Sequence, residues 1–162
     1  MTGSILQVSI SQGGVPKHAI PVGILSPGGI KGDGHAHPEI HGGPDRAILL
    51  LAAEGLEELA GLGFPLTYGS LGENLTTRGI GRRDWRTGQR WQIGPDAVIE
   101  ITKRRAPCRT LNAYGPGLQA AIYDALTEAG DPASAKWGLS GVYASVVAPG
   151  SVRPGDAIIL VP

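Results

Sequence analysis

The sequence predicts a mainly β domain with peripheral helices, an α+β fold built around a β-barrel or a strongly curved mixed sheet. Short segments rich in Ile, Val, Leu and Thr recur along the chain, as is typical of strands. The 26 glycines and 13 prolines are spread between these segments as turns. Helical periodicity is found in two places, and no repeat of fixed period is present.

Seven segments are predicted as strands because each is apolar or β-branched and is bounded by Gly or Pro. They are residues 4–11, 18–25, 71–77, 90–93, 97–103, 142–148 and 157–161.

Two helices are predicted from apolar residues at helical spacing. The first covers residues 44–61, where Pro44 suits the first helical position and Asp45 lies in the first turn. The second covers residues 118–129 and ends before Gly130 and Pro132.

The composition indicates one domain, spanning residues 1–162, with a core of its own, since 41% of the residues are hydrophobic. No signal peptide and no long apolar run is visible, so we expect a soluble, cytoplasmic protein. The net charge of zero argues against nucleic-acid and membrane partners. The single cysteine, Cys108, cannot form an intrachain disulfide.

Basic residues are concentrated between positions 78 and 109. Only three acids, Asp84, Asp96 and Glu100, lie in that stretch. This surplus predicts a site for a small anionic ligand such as a phosphate ester, with a solvated basic face as the alternative. The residues are Arg78, Arg82, Arg83, Arg86, Arg90, Lys103, Arg104, Arg105 and Arg109.

The segment 32–44 carries three of the four histidines and ends at the first predicted helix. One interpretation is a metal site, because imidazole and carboxylate groups bind zinc and iron. A second is an anion site formed by free N–H groups at the helix start, after Gly42 and Gly43. A third is a simple glycine turn. The metal ligands of the first interpretation would be Asp33, His35, His37 and His41.

The segment 69–76 places glycines on either side of a polar pair at a predicted strand start. Glu73 offers an acceptor, and the Asn74 amide can both donate and accept. These residues indicate either a binding bend or a turn whose polar groups face solvent.

Cys108 follows Pro107 and has basic neighbours on both sides. Guanidinium groups favour the thiolate, which is the reactive and metal-binding form, so we predict a functional thiol on a loop at a strand end. The alternative is a buried, inert cysteine. Further along, Tyr143 and Asp156 are more typical of packing and turn formation than of catalysis.

Taken in order, these clusters resemble the MOSC family, the domain found at the C-terminus of molybdenum-cofactor sulfurases and as stand-alone bacterial proteins. The family pattern G-x-x-G-D, H-G-G, G-x-x-G-E-N-L, P-C, G-x-Y, P-G and G-D is present over nearly the whole chain. The matching residues are Gly29 to Asp33, His41 to Gly43, Gly69 to Leu75, Pro107 and Cys108, Gly141 to Tyr143, Pro149 and Gly150, and Gly155 and Asp156.

The resemblance implies a MOSC-type β-barrel that binds the pterin-based molybdenum cofactor, molybdopterin, with Cys108 as the protein ligand to the metal. It implies that His41 and Asn74 contact cofactor or substrate and that Glu73 orients its neighbours, so these residues and Cys108 are the catalytic candidates. Ser140 and Ser145 stand where many relatives carry arginines. The expected cofactor-binding residues are Gly42, Gly43, Arg46, Arg104, Arg105, Arg109 and Tyr143.

Two functions follow from this resemblance. One is a molybdenum-dependent oxidoreductase that reduces N-hydroxylated small molecules with electrons from an external donor. The other is a carrier or sulfur-transfer module that hands the cofactor to a molybdoenzyme apoprotein. Binding of another phosphorylated ligand, without molybdenum, is a third alternative.

Overall fold

The computed structural model describes residues 1–34 and 43–162, and in these ranges strands outnumber helices. The strands are β1 (Thr2–Ile10), β2 (His18–Ile20), β3 (Gly23–Ser26), β4 (Gly29–Ile30), β5 (Ile48–Ala52), β6 (Leu75–Arg78), β7 (Arg90–Ile93), β8 (Ala97–Arg104), β9 (Val142–Ala148), β10 (Gly150–Val152) and β11 (Ala157–Val161). The α-helices are α1 (Ala53–Gly61), α2 (Leu118–Ile122) and α3 (Ala125–Glu128).

The main sheet closes on itself into a β-barrel. Its strands lie in the order β11-β7-β8-β9-β5-β6-β1, and a pairing between β1 and β11 joins the two ends. Strand β2 pairs antiparallel with the end of β1, while β10, β3 and β4 form a small second sheet. The β5 and β6 pair is parallel, and the other described pairs are antiparallel. Closure removes exposed strand edges and confirms the predicted fold class.

The barrel interior is filled by alternate residues of its strands. On β8, Ala97, Ile99 and Ile101 are buried and the residues between them are partly exposed. This period of two is expected when one face of a strand points inward. Trp85 and Trp91 pack with their ring centroids 4.9 Å apart and enlarge the apolar core.

A second apolar core lies outside the barrel, beneath the helices. It joins β5 and α1 to the turn at Leu71, to Leu111 after Cys108, and to α2 at Leu118 and Ile122. This packing holds the segments around Cys108 against the barrel wall. Among the described residues, no helix has both the length and the apolar character needed to cross a membrane.

The prediction of one helix over residues 44–61 is wrong in its first half. Pro44–Arg46 forms a single 3-10 turn, Ile48–Ala52 is strand β5, and the α-helix begins at Ala53. All five residues of β5 are buried, because one face packs into the barrel core through Ile48 and Leu50 and the other packs into the second core through Leu51. A short apolar run of this kind shows no alternation, and its pattern is equally compatible with a buried helix.

Other boundaries differ where Pro, Gly or a capping residue interrupts the chain. The predicted strand 18–25 is divided between β2 and β3, which belong to different sheets. The predicted strand 71–77 begins at Leu75, after a turn. The predicted helix 118–129 is two short helices, since Asp124 caps α3 through a bond from Thr127 N. The strands predicted at 90–93, 142–148 and 157–161 are confirmed.

Leu50→Ala tests the assignment of β5 to the barrel core. Leu50 is fully buried, so we expect the free energy of unfolding to fall by about 2–5 kcal/mol, the usual cost of such a cavity. Ile24→Ala is the control, since Ile24 is 46% exposed. Denaturant unfolding measures both variants, and an equal loss in the two would contradict the assignment.

Candidate functional site

Cys108 lies just beyond the end of β8, at the start of a 3-10 helix over Arg109–Tyr114. The thiol is half-buried and is therefore not sealed in the apolar core. Its Sγ atom lies 2.7 Å from the hydroxyl oxygen of Thr110. The Gln119 amide donates to the Pro107 carbonyl at 3.5 Å and supports the same turn. The predicted position on a loop at a strand end agrees with this geometry.

Arg105 is the buried cation of this region, with 4% of its surface exposed. Its guanidinium donates to the Leu71 carbonyl at 2.8 Å and to the Ser140 carbonyl at 3.2 Å. Its backbone N–H donates to Gly141 O at 3.0 Å. The hydrogen bonds of Arg105 thus link the turn before β6 and the turn before β9 to the segment that precedes Cys108.

Tyr143, on β9, is close enough to Arg46, Arg105 and Cys108 for their charges to act on its hydroxyl. The Arg46 guanidinium carbon lies 5.8 Å from the centroid of the Tyr143 ring, within the range of a cation–π contact. Burial raises the pKa of Tyr143; the charges of Arg105 and Arg46 oppose that rise, and the charge of Cys108 adds to it. The structure therefore brings four predicted site residues together: Cys108, Arg105, Arg46 and Tyr143.

The turn from Gly69 to Asn74 takes its shape from glycines in the left-handed region. Gly69 has a φ of +93°, and a Cβ built on it would lie 2.2 Å from the Lys17 carbonyl oxygen. Gly72 has a φ of +88° and lies against Val15. A side chain at Gly69 would force the turn away from the 11–17 loop, so this close approach requires glycine.

Glu73 is fully buried and binds back to its own turn, with Oε1 accepting from Gly69 N. Among the residues that the structure describes, Oε2 has no hydrogen-bond partner. Burial raises the pKa of Glu73 to about 7, against the opposing effects of backbone N–H groups and of the Arg105 charge. Glu73 thus exchanges a proton near neutral pH, beside the main buried cation of the site.

Asn74 is 3% exposed and connects β1 to β5. Its side-chain oxygen accepts from Leu49 N at 3.0 Å, and its Nδ2 group donates to Ser9 O at 3.1 Å and to Asp33 at 2.9 Å. The amide behaves like an additional peptide group between the strands. Both of its donor hydrogens are used, so Asn74 can offer a ligand only an acceptor lone pair. The prediction that the Asn74 amide can both donate to a ligand and accept from it is therefore narrowed to acceptance by its oxygen.

Asp33, a candidate metal ligand, is instead held by an ion pair that sequence reasoning missed. Its carboxylate lies 2.6 Å from Lys17 Nζ, and both side chains are buried. Nothing in the segment around Lys17 signals this contact, because the two residues belong to different loops. Thr110 was also missed, although its position two residues after Cys108 could have drawn attention to it.

The basic surplus between positions 78 and 109 does not form one patch. Arg78 forms ion pairs with Glu57 and Glu54, and Arg82 forms one with Glu58. These three glutamates lie on α1, outside the basic stretch. Acids distant in sequence thus neutralise part of the surplus that the local count predicted.

Other basic residues of that stretch also have different surroundings. Arg90 pairs with Glu100. Arg104 donates to the Glu128 carbonyl at 2.6 Å, towards α3, whereas Arg109 is exposed beside Cys108. A cofactor-binding role for Arg104 and Arg109 stays a prediction.

The helix N-terminus on which the predicted anion site was based is not formed among the described residues. Gly43 precedes a three-residue 3-10 turn and then a strand, so no long helix begins there. A turn of this length has too few aligned peptide groups to give a helix dipole. His35, His37, His41 and Gly42 lie outside the described residues, and within the described ranges no group of three or more His, Cys, Asp or Glu side chains could hold a metal.

The fold and the site define a closed β-barrel protein with one cysteine at a strand end, beside a buried arginine and a glycine-bounded acidic turn. The family model described as "MOSC domain" matches residues 37–159, about three quarters of the chain. The chain belongs to the MOSC domain family, as its motifs predicted.

Two known proteins are similar in sequence. The uncharacterized protein YflK of Bacillus subtilis is 31% identical over 128 residues, which are 77% of this chain and 52% of YflK. Protein YiiM of Escherichia coli is 33% identical over 93 residues, 53% of this chain and 40% of YiiM. The matches thus span about half the length of these relatives, or less.

A crystal structure of a hypothetical protein superposes with a TM-score of 0.72 at 26% sequence identity. The superposition covers 100% of this chain and 69% of that one. It supports the MOSC-type barrel.

Glu73→Gln tests the buried carboxyl through stability. A pKa raised in the folded state means that the folded protein holds a proton that the unfolded chain has lost. The resulting stability is fully present below pH 4.5 and disappears as the pH rises to about 7. Relative to the variant, the free energy of unfolding of wild-type protein should fall by on the order of 3 kcal/mol across this pH range. Denaturant unfolding at a series of pH values measures the difference; parallel curves would contradict the assignment.

Proposed function

We propose that this chain binds the pterin-based molybdenum cofactor through the thiol of Cys108 and reduces N-hydroxylated compounds with electrons from an external donor. The observation that carries the proposal is the position of this thiol. It is the only cysteine of the chain, it is half-buried at a strand end, and it shares its surroundings with Arg105, Arg46 and Tyr143. Membership of the MOSC family supports it.

The residues of the site fit such a group. A thiolate is a soft ligand that suits a metal bound by pterin sulfur atoms, and guanidinium groups suit a phosphate. Within the described part of the chain, Arg105 Nε and Ser140 Oγ are buried and have no hydrogen-bond partner. Buried polar atoms are rarely left unpaired, so these atoms favour a bound polar group or water at this position.

Each residue would contribute in a different way. Cys108 would hold the metal, and the Thr110 hydroxyl, 2.7 Å from Sγ, would fix the direction of the thiol. Arg46 and the exposed Arg109 would bind the phosphate, since both terminal nitrogens of the Arg105 guanidinium already donate to backbone carbonyls. Arg105 would then act by positioning and by charge rather than by direct contact.

When bound, the cofactor supplies the oxygen-transfer and electron chemistry, and the protein supplies orientation and electrostatics. In the overall reaction the N–O bond of an N-hydroxylated compound breaks, two electrons come from the reductant, two protons are taken up, and water is released. Glu73 can hold a proton near neutral pH within the same polar region. Half-burial of Cys108 limits the access of water without closing the site to a small substrate.

Cys108→Ala tests the metal ligand. After expression in a host rich in cofactor, we expect roughly one molybdenum per wild-type chain and at least about tenfold less in the variant, because no other thiol of the chain can replace Cys108. Metal and pterin analysis measures the loading. Asn112→Ala, an exposed change on the same 3-10 helix, is the control and should load normally. Equal loading of wild type and Cys108→Ala would remove the thiol from the site.

Turnover by the loaded protein tests the reaction. With a reduced viologen dye as donor, an N-hydroxylated purine or an amidoxime should be converted to the deoxygenated product, with two electrons consumed per molecule. Product analysis and dye oxidation measure both quantities. Absence of product from fully loaded protein would reject the reductase. If that protein instead transfers its cofactor to a molybdoenzyme apoprotein, the function is that of a carrier.

A further inference from the structure

We propose that Lys17 is a positioning residue of the cofactor site, which acts through Asp33 to hold Asn74 and the backbone at Gly34. The histidine-containing segment 35–42 continues from Gly34 in the sequence. This inference rests on the proposed function for what the site binds, but its geometry is independent of that function.

Lys17 is buried, with 8% of its side chain exposed, and its ammonium group has three acceptors. The Asp33 carboxylate lies at 2.6 Å, the Gly34 carbonyl at 3.4 Å and the Ser11 hydroxyl at 3.5 Å. An ammonium has three hydrogens to donate, and three acceptors surround this one. Lys17 is therefore suited to act as a fixed cation rather than as a nucleophile.

Asp33 links this cation to Asn74 through hydrogen bonds on its two carboxylate oxygens. Its Oδ1 accepts from Lys17 and from Ser11 N at 3.0 Å, while its Oδ2 accepts from Asn74 Nδ2 at 2.9 Å. An ionised carboxylate only accepts hydrogen bonds, so it selects the amide orientation in which Nδ2 faces Asp33 and the oxygen faces Leu49 N. Lys17 thus reinforces, through Asp33, the orientation of the Asn74 amide that Leu49 N and Ser9 O also favour.

The backbone of Lys17 contacts the acidic turn as well. Lys17 N donates to Gly69 O at 2.9 Å, and the Lys17 carbonyl approaches Gly69 so closely that a Cβ there would lie 2.2 Å away. Gly69 N in turn binds the Glu73 carboxyl. One residue therefore joins the 11–17 loop to two segments that carry family motifs, the turn at Asp33 and the turn at Glu73 and Asn74.

Lys17→Met tests the proposal by removing the charge while keeping most of the side-chain volume. In protein without cofactor, we expect hydrogen exchange at the amides of Ser11, Gly34 and Leu49 to speed up about tenfold or more, since these amides depend on the network. Exchange in β8 should be unchanged. In protein made with cofactor, molybdenum per chain should fall about fivefold or more. Lys31→Met is the matched control, because Lys31 is exposed and lies two residues before Asp33.

A double variant, Lys17→Met with Asp33→Asn, separates positioning from stability. Removing both charges leaves no buried ion unpaired, so thermal stability should return towards that of wild type. Molybdenum loading should stay low, because a neutral amide replaces the charged acceptor and holds Asn74 Nδ2 and Ser11 N more weakly. Loading that returns together with stability would overturn the proposal, as would normal loading and exchange in Lys17→Met alone.

Failure of the proposed function gives a different result. Wild-type protein that binds no molybdenum would reject the cofactor, yet the exchange measurements would still decide whether Lys17 holds Ser11, Gly34 and Leu49. Accelerated exchange spread over the whole barrel, β8 included, would show general destabilisation and would count against a local positioning role.

Discussion

The hydrogen bonds from the Arg105 guanidinium to two backbone carbonyls determine how the turns around Cys108 are arranged. Leu71 O and Ser140 O belong to turns that precede different strands, and both accept from this one side chain. Hydrogen bonds from a charged group contribute about 1.5–3 kcal/mol each, and a buried cation needs such partners to offset its desolvation. Glu73, buried beside it, balances the charge when ionised and leaves Arg105 as the net cation when protonated. The electrostatics next to the thiol thus depend on a carboxyl that titrates near neutral pH.

A second buried network, centred on Asp33 and Asn74, supports the same end of the barrel. Asn74 uses its backbone and its side chain on the same two neighbours, Ser9 and Leu49. A polar side chain can occupy this position only because almost every hydrogen-bonding atom is matched. The two networks meet at the turn from Gly69 to Asn74. Glu73 and Asn74 therefore use most of their polar groups within the fold, whereas the Cys108 thiol is more exposed.

Some elements were predictable because their pattern has one physical explanation. Strand β8 alternates between buried and exposed positions, and its predicted and observed bounds differ by one residue. Strand β5 was not predictable, since its pattern does not distinguish a strand covered on both faces from a buried helix. The basic surplus was misleading for a related reason: the glutamates of α1 that pair with Arg78 and Arg82 lie more than 20 residues earlier in the chain.

The sequence by itself determined the family, the mainly β class and the placement of the lone thiol after Pro107, because motif order, turn residues and strand periodicity are local properties. Only the tertiary structure decided which polar groups are already engaged. It paired Asp33 with Lys17, turned the donors of Asn74 inward, and buried Glu73 beside Arg105. These are contacts between segments distant in sequence, and their hydrogen bonds and burial arise when the barrel closes and brings the loops together.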